Sequence, residues 1–108
     1  MKMTKRPPVT LSAEGKRLWA DLIRGYSITD PAGLRLLLTA CESLDLMRRA
    51  EAEVNRDGMT VKDRYGAIRG HPMLGTIRDA RHAMLQALRH LNLDIEPLQE
   101  RIGRPTGR

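Results

Sequence analysis

A chain of 108 residues is one small domain with room for a modest core. Trp19, Tyr26 and Tyr65 are its only aromatic residues and there is no Phe, so Leu, Ile, Met and Ala must fill that core. This favours packed helices over a β-sandwich and suits an oligomer that shares apolar surface. Cys41 is the single cysteine, which excludes a disulfide framework or a multi-cysteine metal site within one chain and fits a reducing cytoplasm. No apolar run is long enough for a membrane span, and basic residues 1–8 lead into no hydrophobic segment of a signal peptide.

The net charge of +6 is unevenly distributed. Residues 1–29 carry six basic and two acidic side chains, residues 30–57 four and six, residues 58–91 six and two, and residues 92–108 three of each. A basic–acidic–basic order suits a protein that touches a polyanion with some surfaces and protein with others. An ordinary basic surface accounts for it equally well.

In chain order, residues 1–11 (MKMTKRPPVTL) combine basic residues with Pro7-Pro8 and read as a flexible arm. Ser12 is the expected N-cap of a first helix over residues 13–26. Leu18, Trp19, Leu22, Ile23 and Tyr26 give it one buried stripe, with Glu14, Arg17, Asp21 and Arg24 opposite. Asp30 as N-cap and Pro31 at the first helical position open a second helix, which runs to about Arg56 and stops at Gly58. Leu34, Leu37, Leu38, Cys41, Leu44 and Met47 form its stripe. The charged RRAEAEVNRD segment that follows is expected to protrude from the core, anchored by Val54.

Residues 59–69 break the helical pattern. Met59-Thr-Val-Lys-Asp alternates apolar and polar, and Ala67-Ile-Arg69 can pair back onto it across Arg64-Tyr65-Gly66. Pro72 then opens a third helix to about Leu91, with Leu74, Ile77, Met84, Leu88 and Leu91 near a three-four repeat that Arg81 interrupts. Within the tail, residues 97–101 read as one short turn or helix, and the end as disordered. No internal repeat is present. The expected fold is mainly α: a three-helix core over residues 12–93, a long second helix, and a short β-hairpin between helices 2 and 3.

No side chain assembles a convincing catalytic set. His71 lacks a nucleophile partner, and His82 and His90 lie eight apart rather than at a chelating i,i+4 spacing. Neither H-E-x-x-H, C-x-x-C nor a P-loop occurs. His71 and Pro72 read as a structural junction at the helix start. Cys41 reads as a buried thiol, and Asp45 and its neighbours as solvated partners of Arg48 and Arg49. No catalytic residue, metal site or cofactor is expected.

The basic residues fall into two groups. Lys2, Lys5, Arg6, Lys16 and Arg17 are expected to contact phosphate oxygens without reading sequence. Lys62, Arg64 and Arg69 on the hairpin, with Arg78 and Arg81 on the third helix, are expected at a subunit interface or on DNA. A solvated surface is the plain alternative for both.

Taken in order, several segments resemble the phage terminase small subunits with a short helical core and a β-hairpin before the last core helix. They are Gly15-Lys-Arg-Leu-Trp19, Ile28-Thr-Asp-Pro31, Gly58-Met-Thr-Val61, Gly70-His-Pro-Met-Leu74, Arg78-Asp-Ala-Arg81 and Leu91-Asn-Leu-Asp94. They span about residues 11–100. The resemblance implies a non-enzymatic packaging factor in the host bacterial cytoplasm. Its expected partners are viral double-stranded DNA at the packaging site, further copies of itself in a ring, and the terminase large subunit with the ATPase and nuclease. Two other classes fit parts of the sequence. One is a helix-turn-helix regulator built on helices 1 and 2, although the leucines of helix 2 look too buried for a recognition helix. The other is a protein-only adaptor.

Overall fold

The computed structural model describes residues 6–93. Lys2, Lys5 and the turn expected over 97–101 lie outside this range, as does most of the expected arm–tail division. Five elements follow in chain order: α1 (Ala13–Tyr26), α2 (Pro31–Asp57), β1 (Thr60–Lys62), β2 (Ile68–Gly70) and α3 (Met73–His90). This is the mainly α architecture that the sequence predicts, with the hairpin in the expected place.

The helix ends follow local chemistry. The Ser12 hydroxyl accepts from the Gly15 N–H at 3.1 Å, and the Asp30 carboxylate from the Gly33 N–H at 2.8 Å. Pro31 occupies the first turn of α2, and Gly58 closes that helix by donating its N–H to the Val54 carbonyl. Ser27, at φ 51°, supplies the left-handed cap of α1. That position lies two residues beyond Gly25.

The α2 helix is the spine. It packs against α1 along its first half and against antiparallel α3 along its length. One core cluster joins Leu11, Trp19, Ile28, Leu37 and Cys41, with Leu34, Leu91 and Leu93 against it. A second joins Leu44, Met47 and Ala80, with Leu18, Ile77 and Met84. Leu11 therefore belongs to the core rather than to a free arm, its N–H closing a turn onto the Pro8 carbonyl. Ala40, Ala50, Ala80 and Ala87 are buried, and such small side chains let helix axes approach closely.

Two readings of the apolar stripes need correction. Tyr26 is 36% exposed, because it sits at the end of α1 where neither neighbour covers the ring. The distal half of α2 extends beyond α1, as expected, yet α3 lies along it and buries both Ala50 and Val54. Arg81 falls beside the seam that Ala80 and Ala87 occupy, so its apparent interruption of the α3 repeat leaves the packed face intact.

β1 and β2 pair antiparallel in the register Thr60↔Gly70, Val61↔Arg69 and Lys62↔Ile68. Gly66 turns the loop at φ +84°, a conformation that costs glycine little. The Asp63 carboxylate fixes the turn, its Oδ1 accepting from the N–H groups of Tyr65 and Ala67. The hairpin has no covering layer, which leaves Met59, Tyr65 and Ile68 at 67%, 84% and 70% exposure. Among the described residues, no helix is long and apolar enough to cross a membrane.

Candidate nucleic-acid interface

The first basic group surrounds the start of α1. Arg6 and Arg17 are exposed and Lys16 is half-buried. The helix terminus itself is closed to a phosphate, because Asp45 of α2 already occupies it. Asp45 Oδ2 accepts from the Ser12 N–H at 2.8 Å, and Oδ1 accepts from the Ser12 hydroxyl. Asp45 thus serves as a cross-helix cap and not as the solvated partner of Arg48 or Arg49 that the sequence suggests. Gly15 belongs to this arrangement: a Cβ there would stand 2.7 Å from Asp45 Oδ1. Phosphate contact at this end must therefore come from side chains.

Arg48 faces elsewhere. Its guanidinium holds both oxygens of Glu14 at 3.0 and 3.1 Å, and Glu51 at 2.8 Å. Hydrogen bonds to Glu14 and then Glu51 push its pKa up. The other Glu51 oxygen lies 3.7 Å from Arg81 on α3. One ribbon of charge thereby crosses all three helices; at this exposure its worth is positional more than energetic.

The second basic group divides. Arg69 is held by Asp63 at 2.8 Å, Arg78 lies 3.5 Å from Asp79, and Arg81 belongs to the ribbon. Lys62 and Arg64 have no carboxylate partner among the described residues, and the Arg64 guanidinium lies 5.7 Å from the Tyr65 ring centroid. The hairpin therefore presents two uncommitted cations beside bare apolar surface. Met59, Tyr65 and Ile68 are not among the site residues expected from the sequence. Their signal was available: a lone two-stranded hairpin has only one layer and cannot bury three large side chains.

His71 lies at the base of the hairpin, 6% exposed. Its Nδ1 accepts from the Met73 N–H at 3.0 Å, which leaves Nε2 as the protonated nitrogen that donates to Asp57 Oδ2 at 2.9 Å. Its backbone N–H donates to the Met59 carbonyl at 2.8 Å, and its carbonyl accepts from the Leu74 N–H at 3.0 Å. The imidazole caps α3 in place of Pro72, which makes no side-chain cap bond. The ring ties the end of α2, the start of the hairpin and the start of α3 together, and both nitrogens are committed.

Arg56, and then His71, hold the Asp57 carboxyl at about 2, below its ordinary 3.8. A lowered folded-state value means the ionised carboxylate favours folding above pH 3.8, and this contribution is lost as pH falls toward about 2. Asp63, lowered by Arg69 and by the Ala67 and Tyr65 N–H groups, acts in the same direction. We expect Asp57→Asn, which keeps an acceptor for Nε2, to flatten part of the fall in unfolding temperature across that window. A fall as steep as in the parent chain would remove Asp57 from the account.

Among the described residues, no cluster of three or more His, Cys, Asp or Glu side chains is placed to hold a metal ion. Burial, aided by Asp45 and Glu42, pushes the Cys41 thiol up to about 12, so it carries little thiolate at neutral pH.

The family model for the phage terminase small subunit matches residues 13–100, spanning all five elements and continuing past Leu93. The chain belongs to that family. Its general role is therefore in phage DNA packaging, where the small subunit is as a rule the non-catalytic component. Neither the curated proteins nor the solved structures supplied a match.

Proposed function

We propose that the chain is the non-catalytic small subunit of a phage terminase. It assembles into a ring in the host bacterial cytoplasm, binds viral double-stranded DNA at the packaging site, and hands that DNA to the large ATPase/nuclease subunit. The family match over residues 13–100 carries this reading. Charge placement supports it: cations stand free of carboxylates at the start of α1 and on the hairpin.

In this reading Arg6, Lys16 and Arg17, with Lys2 and Lys5 on the basic arm, contact phosphates. Each copy contributes a few weak contacts, and the ring multiplies them into avidity. Lys62 and Arg64, beside exposed Met59 and Ile68, form a subunit contact against an acidic stretch of a neighbouring α2. Arg69, Arg78 and Arg81 contribute less, because each already has a carboxylate within its own chain. His71 and Pro72 serve as the junction that aims the hairpin. Residues 11–93 form the assembling core and 94–108 a tail, and no cofactor takes part. The regulator reading is weakened by Leu37 and Cys41, both at 0% exposure in the half of α2 that would have to enter a DNA groove.

The assembly surface is tested by the double reversal Lys62→Glu, Arg64→Glu. Both side chains are exposed, so folding should survive while particle mass by light scattering falls. An unchanged mass would remove the hairpin from the interface. The DNA surface is tested separately by Lys16→Glu, Arg17→Glu, which should weaken binding to duplex DNA at least tenfold with assembly intact; equal affinity would contradict it.

A further inference from the structure

The α2 helix buries Leu37, Cys41, Leu44, Met47 and Val54 on the side of its two helical neighbours. Its opposite face carries Arg35, Thr39, Glu42, Leu46, Arg49 and Glu53 at three- and four-residue spacing, and all six are exposed. Among the described residues no other element covers that face. The flank with Glu42 and Arg49 opens onto a groove of about 600 Å³, whose far wall is Thr10, Leu11 and Ser12. Leu46, 41% exposed, stands at the middle of the face.

An exposed leucine is ordinary by itself; the charges around it say what covers it. Glu42 lies four residues before Leu46 and Arg49 three after. Neither has an ion-pair partner among the described residues, since Arg48 takes Glu14 and Glu51 while Asp45 caps Ser12. Glu42 and Arg49 stand about 10 Å apart along the axis, too far to pair within one chain. Across a second, antiparallel copy of the face they match. Glu42 meets Arg49 of the other copy, and Arg49 meets its Glu42. A parallel copy would oppose Glu42 to Glu42 and Arg49 to Arg49, so charge also fixes the direction. Arg35 and Arg56 come opposite each other only at the ends, where crossing helices diverge, and Arg56 is already held by Asp57.

We propose that this face of α2 docks the same face of a second copy, antiparallel about a twofold axis beside Leu46. The two leucines meet at the centre and two Glu42–Arg49 pairs flank them. Such a pair closes on itself, so it is separate from the head-to-tail contact that a ring requires. The contact spans Glu42 to Arg49 and leaves Glu53 to the hairpin of a ring neighbour. One helix pair is a small interface, so the contact is expected to be weak by itself. It depends on neither DNA binding nor the ring.

Disulfide trapping of the full chain at high protein concentration tests it. Leu46→Cys lies on the axis, so mild oxidation should join position 46 of two copies, as located by peptide mapping. Leu85→Cys, on α3 at a position 54% exposed, is the background control; Cys41 is buried and stays out of the exchange. The yield at position 46 should exceed the control several-fold, and equal yields would overturn the proposal. Charge reversal gives a second reading. In the Leu46→Cys background, Glu42→Arg alone or Arg49→Glu alone should cut the yield several-fold, because each sets like charges together. The two combined should restore it; a yield that stays low in the combination would overturn the twofold pairing. Adding Lys62→Glu, Arg64→Glu should leave the yield unchanged whatever becomes of the ring. Loss of the disulfide in that variant would assign the contact to the ring and overturn the twofold.

Discussion

Leu37→Ala should lower stability by about 3 kcal/mol, within the range for deleting a fully buried leucine without collapse of the site. Leu37 is 0% exposed and sits where α1 and α2 meet, in the cluster with Trp19, Ile28 and Cys41. Two rigid helices hold the walls of that site apart, so the cavity cannot close fully. A domain of this size is stable by only about 5–10 kcal/mol, so the loss is a large share of the total. It should lower the unfolding temperature by more than about 10 °C. Val9→Ala, at 87% exposure, is the control and should change stability by less than about 0.5 kcal/mol. Both need measuring at one protein concentration, because assembly adds to apparent stability. Equal effects from the two would mean that the cluster around Trp19 is not the core.

DNA affinity should collapse with salt. If two neighbouring subunits each place Arg6, Lys16 and Arg17 on phosphates, these residues alone make about six contacts, and log affinity falls against log salt with a slope of about −5 or steeper once Lys2 and Lys5 add theirs. Affinity then drops roughly a thousandfold between about 50 and 200 mM salt. Lys16→Glu, Arg17→Glu should flatten the slope as well as weaken binding, because each lost phosphate contact removes about 0.9 from it. Titration of fluorescent duplex DNA over that range reads both numbers. Affinity insensitive to salt would contradict phosphate contact as the source of binding, and no binding even at low salt would favour a protein-only adaptor.

What was legible in the sequence was the part governed by neighbours along the chain. Ser12, Asp30, Pro31 and Gly58 act within a turn of the residues they cap, and Gly66 sets its own loop, so element bounds could be read directly. Contacts between distant positions could not. The carboxylate of Asp45 reaches Ser12 across 33 residues, and Arg48 reaches Glu14 across 34. Nothing in the periodicity of either helix says which carboxylate meets which cation. The same limit applies to the seam. A three-four pattern locates a buried face, but only the close approach of α2 and α3 decides that alanines at 80 and 87 are buried while Arg81 turns outward to Glu51.

The candidate site shows the same division. The basic clusters are visible from composition, yet their availability depends on pairing. Arg69, Arg78 and Arg81 looked equivalent to Lys62 and Arg64 as residues; the fold gives each of the first three a carboxylate and leaves the last two without one among the described residues. The exposed apolar surface beside them follows from a hairpin with no second layer, which the expected single hairpin already implied although alternation by itself does not.

Assembly into a ring is the claim on which the avidity mechanism depends, and the mass of the full-length protein in solution tests it most directly. Light scattering on a size-exclusion column, at moderate and high salt, should show one closed species of many copies, with the Lys62→Glu, Arg64→Glu variant smaller. A clean monomer or dimer at both salts would contradict the ring and leave each copy with too few phosphate contacts to hold DNA.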